Sequence, residues 1–201
     1  MSEMGDRIEA VCVFCGSRTG TAPVYLEAAR QLGVELARRG LEVVYGAGDV
    51  GLMGVLADAA LEAGGRVVGV IPQSLVAREV AHMGLTELHV VETMHQRKAL
   101  MADRAQAFLA LPGGFGTADE LFEILTWAQL GIHRKPVGLL NVNGFFDPLL
   151  AWLDHCVAEG FLKPQHRRVL LVARDVAELL DTVQHAPPVE ETTKWADRED
   201  R

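Results

Sequence analysis

Short apolar runs alternate with longer segments whose apolar residues recur at helical spacing, from the start of the chain to residue 186. IEAVCVF leads into PVYLEAARQLGVELARRG, LEVVY into GLMGVLADAALEAG, and RVVGVIP into a looser stretch over residues 73–86. ELHVVE then leads into MHQRKALMADRA, AFLAL into TADELFEILTWAQL, PVGLLN into PLLAWLDHCVAEG, and RVLLVA into VAELLDTVQHA. The short runs are continuously apolar and rich in β-branched residues, which suits strands covered on both faces. Strict alternation of strand and helix predicts right-handed crossovers. The expected fold class is α/β, with an open, doubly wound, mostly parallel sheet and helices on both faces. Residues 1–186 read as one domain without a repeat or linker. The remaining PPVEETTKWADREDR is polar and aperiodic, so a disordered tail is expected over 187–201.

Composition narrows the function classes. A chain of 201 residues with 49% hydrophobic composition can bury a substantial core. Its net charge is −8 and it has no basic stripe, which argues against a nucleic-acid surface. The opening MSEMGDRIEA lacks an apolar signal core, and no apolar run nears the ~20 residues of a membrane helix. A soluble, cytoplasmic protein is expected. Cys12, Cys15 and Cys156 are too few, and odd in number, for a disulfide framework. Cys12 and Cys15 spell C-x-x-C, but an offset of three on a strand points them to opposite faces. That disfavours a zinc or redox pair. The seven histidines show no spacing such as H-E-x-x-H, and neither a metal nor another cofactor is expected.

In an open parallel sheet, ligands bind beyond the carboxyl ends of the strands. Four such ends matter: Gly16-Ser17-Arg18, residues 46–51, residues 92–94 and residues 112–117. Glycine and small polar residues fill three of them, which favours a nucleotide or phosphate ligand. GAGDVG at 46–51 fits G-x-G-x-x-G and joins a strand to a helix. It follows the second apolar run rather than the first. The next run ends GVIPQS, without the acid that would hold a ribose hydroxyl. Both points count against NAD, and glycines for close helix–strand packing explain the motif as well.

PGGFGT at 112–117 is better placed. Gly113, Gly114 and Gly116 permit unusual dihedrals and close approach of a ligand. A helix beginning near Thr117 presents unpaired amides and the positive end of its dipole, where a phosphate docks without a lysine. No Walker lysine follows, which disfavours a P-loop nucleoside triphosphatase. Thr117 and Glu120 also fit a capping box, with Glu120 reaching back to the cap amide. That box does not explain three glycines at one place. Asp119 and Glu123 read as dipole-complementing or solvated acids. Ser17 is a hydrogen-bond donor rather than a nucleophile, since G-x-S-x-G is absent.

ETMHQRKALMADR supplies the cations. Arg97 and Lys98 point about 100° apart on a helix, so at most one aims straight at a small site. Arg97 shares a face with Met94, Leu100 and Met101. Alone, the segment is an amphipathic helix with basic side chains lying along it, and His95 is a surface residue. Beside a glycine turn and Glu120 at a neighbouring strand end, it becomes half of a site.

Taken in order, VFCGSRTG, VVYGAGDVGLMG, GVIPQSL with a later Glu, MHQRKALM and PGGFGTADELFEILTW resemble a known family. It is the LOG ("Lonely guy") family of cytokinin riboside 5′-monophosphate phosphoribohydrolases, and the resemblance covers residues 11–141. The pairing of M-x-x-R-K with P-G-G-x-G-T-x-x-E carries most of the specificity. The resemblance implies a Rossmann-like homo-oligomer, at least a dimer. It implies hydrolysis of the N-glycosidic bond of nucleoside 5′-monophosphates to free base and ribose 5-phosphate, without a cofactor. Arg97 and Glu120 are then the catalytic pair. Glu79, Lys98, Gly114, Phe115, Gly116, Thr117, Ala118, Asp119, Glu120 and Thr126 are the implied substrate contacts. Ser17, Gly46 and Gly48, from the first two strand ends, complete the expected lining. The family usually reads Y-G-G-G where this chain has Tyr45, Gly46, Ala47 and Gly48, and the Ala47 methyl is expected close to the phosphate. Members often carry the label lysine decarboxylase, but no site for a pyridoxal phosphate Schiff base is recognisable. A nucleotide or molybdenum cofactor carrier on the same fold is the alternative, and it has no need of Arg97 with Glu120.

Overall fold

The run AVCVF forms β1 (Ala10–Phe14), and its alternation sorts side chains into two cores. Val11 and Val13, with Cys15 just beyond, join one core; Ala10, Cys12 and Phe14 join the other. The two cysteines therefore lie on opposite faces of the sheet, as their offset predicts. The computed structural model describes residues 7–76, 81–187 and 189. Glu79, and the expected tail apart from Pro187 and Val189, lie outside the described residues.

Six further strands follow: β2 (Glu42–Tyr45), β3 (Val67–Pro72), β4 (Glu87–Val91), β5 (Ala107–Ala110), β6 (Val137–Leu140) and β7 (Leu170–Ala173). Among the described residues they form one sheet in the order β4-β3-β2-β1-β5-β6-β7, with every neighbour parallel. Helices α1 (Pro23–Arg38), α2 (Gly51–Glu62) and α8 (Val176–Gln184) bury their apolar stripes against one face. Helices α4 (Met94–Arg104), α5 (Phe115–Gln129) and α6 (Asp147–Ala158) cover the other. Side chains covered on both faces explain why the central strands carry no polar alternation. The edges depart from that expectation. On β4 the pattern is only half-buried, with Val90 48% exposed, and Val172 on β7 is also exposed.

Two short helices, α3 (Gln73–Val76) and α7 (Pro164–Arg167), and a 3-10 turn at Val142–Gly144 were not expected from the pattern. None is long enough to show a helical period. The contact of α1 with α2 depends on Gly33, where a Cβ would overlap the Leu56 carbonyl on the facing helix. No helix among the described residues is long and apolar enough to cross a membrane.

Candidate active site

The strand order changes direction between β1 and β5, the point where an open sheet leaves a crevice beyond its carboxyl ends. The two chain exits are clasped there. The Gly16 amide donates to the Pro112 carbonyl at 3.1 Å, and the Leu52 amide donates to the Gly16 carbonyl at 3.0 Å. Gly51, at φ +69°, leaves no space for a Cβ beside the Ser17 and Arg18 backbone. Ser17 itself is exposed at the mouth.

The glycines of GAGDVG are taken up by packing. A Cβ on Gly46 would overlap the Arg97 guanidinium, and one on Gly48 would strike the Met53 side chain. Ala47 adopts a left-handed backbone, φ +62°. Its methyl is fully buried with Ile71 and Ala81, and Gly69 leaves the room for it. The expectation that this methyl borders the phosphate is therefore corrected: it points into a small apolar cluster.

The PGGFGT turn differs from its sequence reading in two ways. Helix α5 begins at Phe115, two residues before Thr117, with Gly114 as an N-cap that no side chain caps. Thr117 is the third helical residue, buried, with its hydroxyl against Gly113 where a Cβ would overlap it. The capping box of Thr117 with Glu120 does not form. Nor do Gly113, Gly114 and Gly116 use left-handed dihedrals. Gly113 is glycine for space. At Gly114 and Gly116 a Cβ would meet nothing within 4 Å, so packing gives no reason for either. The first helical bond runs from the Ala118 amide to the Gly114 carbonyl at 3.0 Å. The amides of Phe115, Gly116 and Thr117 precede it, at the positive end of a 15-residue helix. Phe115 is 97% exposed and leaves this backbone open.

Glu120 projects instead to Arg97. Arg97 Nη2 lies 3.4 Å from Glu120 Oε1, and the two side chains are only 10% and 12% exposed. Arg97 Nε donates to the Val70 carbonyl at 3.2 Å, and Nη1 donates to Met94 Sδ at 3.3 Å. The guanidinium is thus fixed by β3, by its own helix, by Gly46 and by α5. Burial first, and then the charge of Glu120, pushes the Cys12 and Cys15 thiols well up. They are inert neighbours of the site.

Lys98 turns to other partners, as the 100° offset requires. Its Nζ lies 3.2 Å from Asp119 and 3.1 Å from Glu123. Burial opposes the ammonium, but Glu123 and Asp119 outweigh it and hold Lys98 above its ordinary range. Asp119, still largely solvated, and the more buried Glu123 both tie α5 to α4, a role the reading as dipole-complementing or solvated acids did not include. Thr126 is not brought to this group. It lies about 9 Å further along α5 than Glu120 by helical rise. Its hydroxyl donates to the Phe122 carbonyl at 2.7 Å. It lines a separate cavity of about 80 Å³ with Leu153 and His166. Ala118 is half-buried and His95 exposed.

A cavity of about 1440 Å³ lies at the other end of the sheet among residues such as Arg39, Arg66, Arg104 and Lys135. These four cations already have partners. Arg39 pairs with Glu35 and Asp181, Arg66 with Glu42, Arg104 with Glu87, and Lys135 donates to the Ala102 carbonyl. The buried Arg97–Glu120 pair beside open helix amides, which neither cavity includes, is the better site. Among the described residues, no three His, Cys, Asp or Glu side chains are grouped to hold a metal.

Known proteins resemble this chain along almost its whole length. A family model described as "Possible lysine decarboxylase" matches residues 53–183. The Arabidopsis thaliana cytokinin riboside 5′-monophosphate phosphoribohydrolase LOG7 is 50% identical over 188 residues, which covers 94% of this chain and 87% of that protein. The Oryza sativa subsp. japonica cytokinin riboside 5′-monophosphate phosphoribohydrolase LOG is 48% identical over 197 residues, covering 98% and 81%. Among solved structures, the molybdenum cofactor carrier protein of Chlamydomonas reinhardtii superposes with a TM-score of 0.66. It is 25% identical and covers 89% of this chain and 97% of that one. Identity near one half along almost the whole chain leaves no doubt of kinship: the chain belongs to the LOG family, the family whose model bears the lysine decarboxylase description.

Proposed function

We propose that this protein hydrolyses the N-glycosidic bond of nucleoside 5′-monophosphates, including cytokinin riboside 5′-monophosphates and AMP. The products are the free base and ribose 5-phosphate. The observation that carries the reading is the buried Arg97–Glu120 pair beside the uncapped start of α5. It stands in a chain half identical to proteins named for this reaction.

In this reading the amides of Gly114, Phe115, Gly116 and Thr117 hold the 5′-phosphate. The helix supplies the charge that no lysine supplies here. Anchoring the phosphate spends remote binding energy on orienting the sugar. Glu120, less than two turns along α5, then faces the anomeric carbon. As the glycosidic C–N bond breaks, its electron pair leaves with the base and positive charge develops on the sugar. The Glu120 carboxylate stabilises that charge and accepts a proton from the water that adds to C1′; the base takes up a proton in turn. Arg97 holds the carboxylate in place and balances charge as the base departs. Lys98 and Glu79 belong to the proposal through the family resemblance, and Ser17 as a hydrogen-bond donor at the first strand end; Thr126, on its separate cavity, is left out. No cofactor enters the reaction.

Chromatography of the released base from AMP and from isopentenyladenine riboside monophosphate tests the reading. Glu120→Gln is expected to lower kcat by roughly 10²- to 10⁴-fold while nucleotide binding persists. The matching ribosides without phosphate should be poor substrates. A carrier would return both monophosphates intact, and that result would end the hydrolytic reading. Homodimerisation in the cytoplasm is part of the proposal. It rests on the family resemblance, and sedimentation velocity measures it directly.

A further inference from the structure

We propose that His82 is a positioning residue for the Arg97–Glu120 pair. It clamps the turn of Gly46, Ala47 and Gly48 against the Arg97 guanidinium. The proposal rests on the hydrolytic reading above and adds a residue to it.

His82 is buried, 7% exposed, although it belongs to no helix or strand. Both ring nitrogens are engaged. The Gly84 amide donates to Nδ1 at 3.1 Å, so the ring proton sits on Nε2, which donates to Asp58 Oδ1 at 2.9 Å. Asp49 lies further off, 3.7 Å from the same nitrogen. Asp58 stands on α2, where Ala57, Ala59 and Ala60 are buried, so the ring is tied to a rigid element.

The backbone of the same segment grips the turn. The His82 amide donates to the Ala47 carbonyl at 3.0 Å, and Ala81 and Gly48 form an antiparallel bridge. These bonds hold an alanine in a left-handed conformation that L residues rarely keep unaided. One residue earlier, Gly46 lies flat against Arg97 Nη2, the atom that faces Glu120. The links run from α2 through Asp58, the His82 ring and its amide, Ala47 and Gly46, to the guanidinium. Without the ring bond the strained turn can relax, and Gly46 no longer backs the nitrogen that meets Glu120.

The test uses the full chain with AMP, reading kcat and KM separately, with circular dichroism and a melting curve for each variant. His82→Leu is expected to lower kcat roughly 10- to 100-fold with KM little changed, the mark of lost orientation rather than lost binding. His82→Gln, whose amide can still donate to Asp58, should recover part of that loss. If His82→Leu does not fold, Asp58→Ala removes the same bond at a half-solvated side chain. It should lower kcat in the same direction and speed hydrogen exchange of the His82 amide. Wild-type kcat in both folded variants overturns the proposal. So does a loss that merely tracks the folded fraction. If the wild-type chain leaves AMP and the cytokinin monophosphate intact, the hydrolytic reading fails. The exchange measurement then decides the clamp alone, and an unchanged His82 amide in Asp58→Ala overturns it.

Discussion

Adjacent glycines in one turn serve different ends. Gly113 is glycine because a Cβ would overlap the Thr117 hydroxyl, while Gly114 and Gly116 face open space. Gly113→Ala should therefore destabilise the fold by about 1–3 kcal/mol, as overpacking does. Gly116→Ala, inside the first turn of α5, should not lower the melting temperature yet should weaken binding of the monophosphate. Melting curves and nucleotide titrations on the two variants separate the cases; equal stability losses would sink the distinction. Ala47 poses a second question of magnitude. Its left-handed backbone costs roughly 1–2 kcal/mol. Against a glycine, it regains about 0.8 kcal/mol from the buried methyl and 0.4–1 kcal/mol from a stiffer unfolded chain. These nearly cancel, so Ala47→Gly should shift stability by less than about 1 kcal/mol. Ala47→Val, β-branched at the same dihedral and facing Gly69, should be far worse by urea denaturation. At this scale the sequence was half legible. The motifs named Arg97 and Glu120, and helical geometry separated Lys98 from Arg97. The seat of Arg97 was hidden, because the Val70 carbonyl is backbone and any residue could have supplied it.

Two helices with the same capping pattern begin differently. At α4, Thr93 and Gln96 form a true capping box: the Thr93 hydroxyl accepts from the Gln96 amide, and the Gln96 side chain accepts from the Thr93 amide. At α5 the pattern of Thr117 with Glu120 is equally good in sequence, yet the helix has already begun at Phe115. Glycines upstream let the chain enter the helix early, and a buried guanidinium gives Glu120 a stronger partner than a cap amide. Local pattern lost to tertiary charge. The far end of α5 carries a pH prediction. His133 Nε2 donates to the Ile124 carbonyl at 2.9 Å, and the Lys135 amide donates to Nδ1 at 3.1 Å, so the neutral ring satisfies both. Burial holds this imidazole below its ordinary range, with the Ile124 carbonyl opposing. The unfolded chain therefore takes up the proton first. Stability is full above the ordinary histidine value of about 6.5, declines as the pH falls below it, and levels off beneath the folded value. Urea midpoints across this range should show the decline in the wild type and a shallower one in His133→Gln.

The whole molecule was the most legible level. Apart from Glu42 at the start of β2, every central strand is a continuous apolar run, and the strict alternation with helices left little choice but parallel crossovers. Sheet order was not legible, since nothing in the runs says that β1 lies between β2 and β5. That order puts the site where nucleotides bind in such folds, which makes ligand-linked stability a global test. AMP at about 100 times its Kd should stabilise the fold by about 2.7 kcal/mol, while NAD should have no comparable effect. Stabilisation by NAD alone would instead revive the reading of GAGDVG as a dinucleotide turn.

The seam between β1 and β5 has a consequence for how the protein is made. Val11 pairs with Ala107, so the central strand waits for nearly a hundred residues of synthesis before its second neighbour exists. In that interval β1 to β4 can already assemble, leaving a buried-type apolar strand with one bare edge. Such an edge is a template for pairing with other chains, and non-local parallel pairing is slow to close. The crevice proposed for the substrate is thus also the seam where the two halves of the sheet join. A nascent chain halted shortly before Ala107 should be far more prone to aggregate than one halted after Ala110.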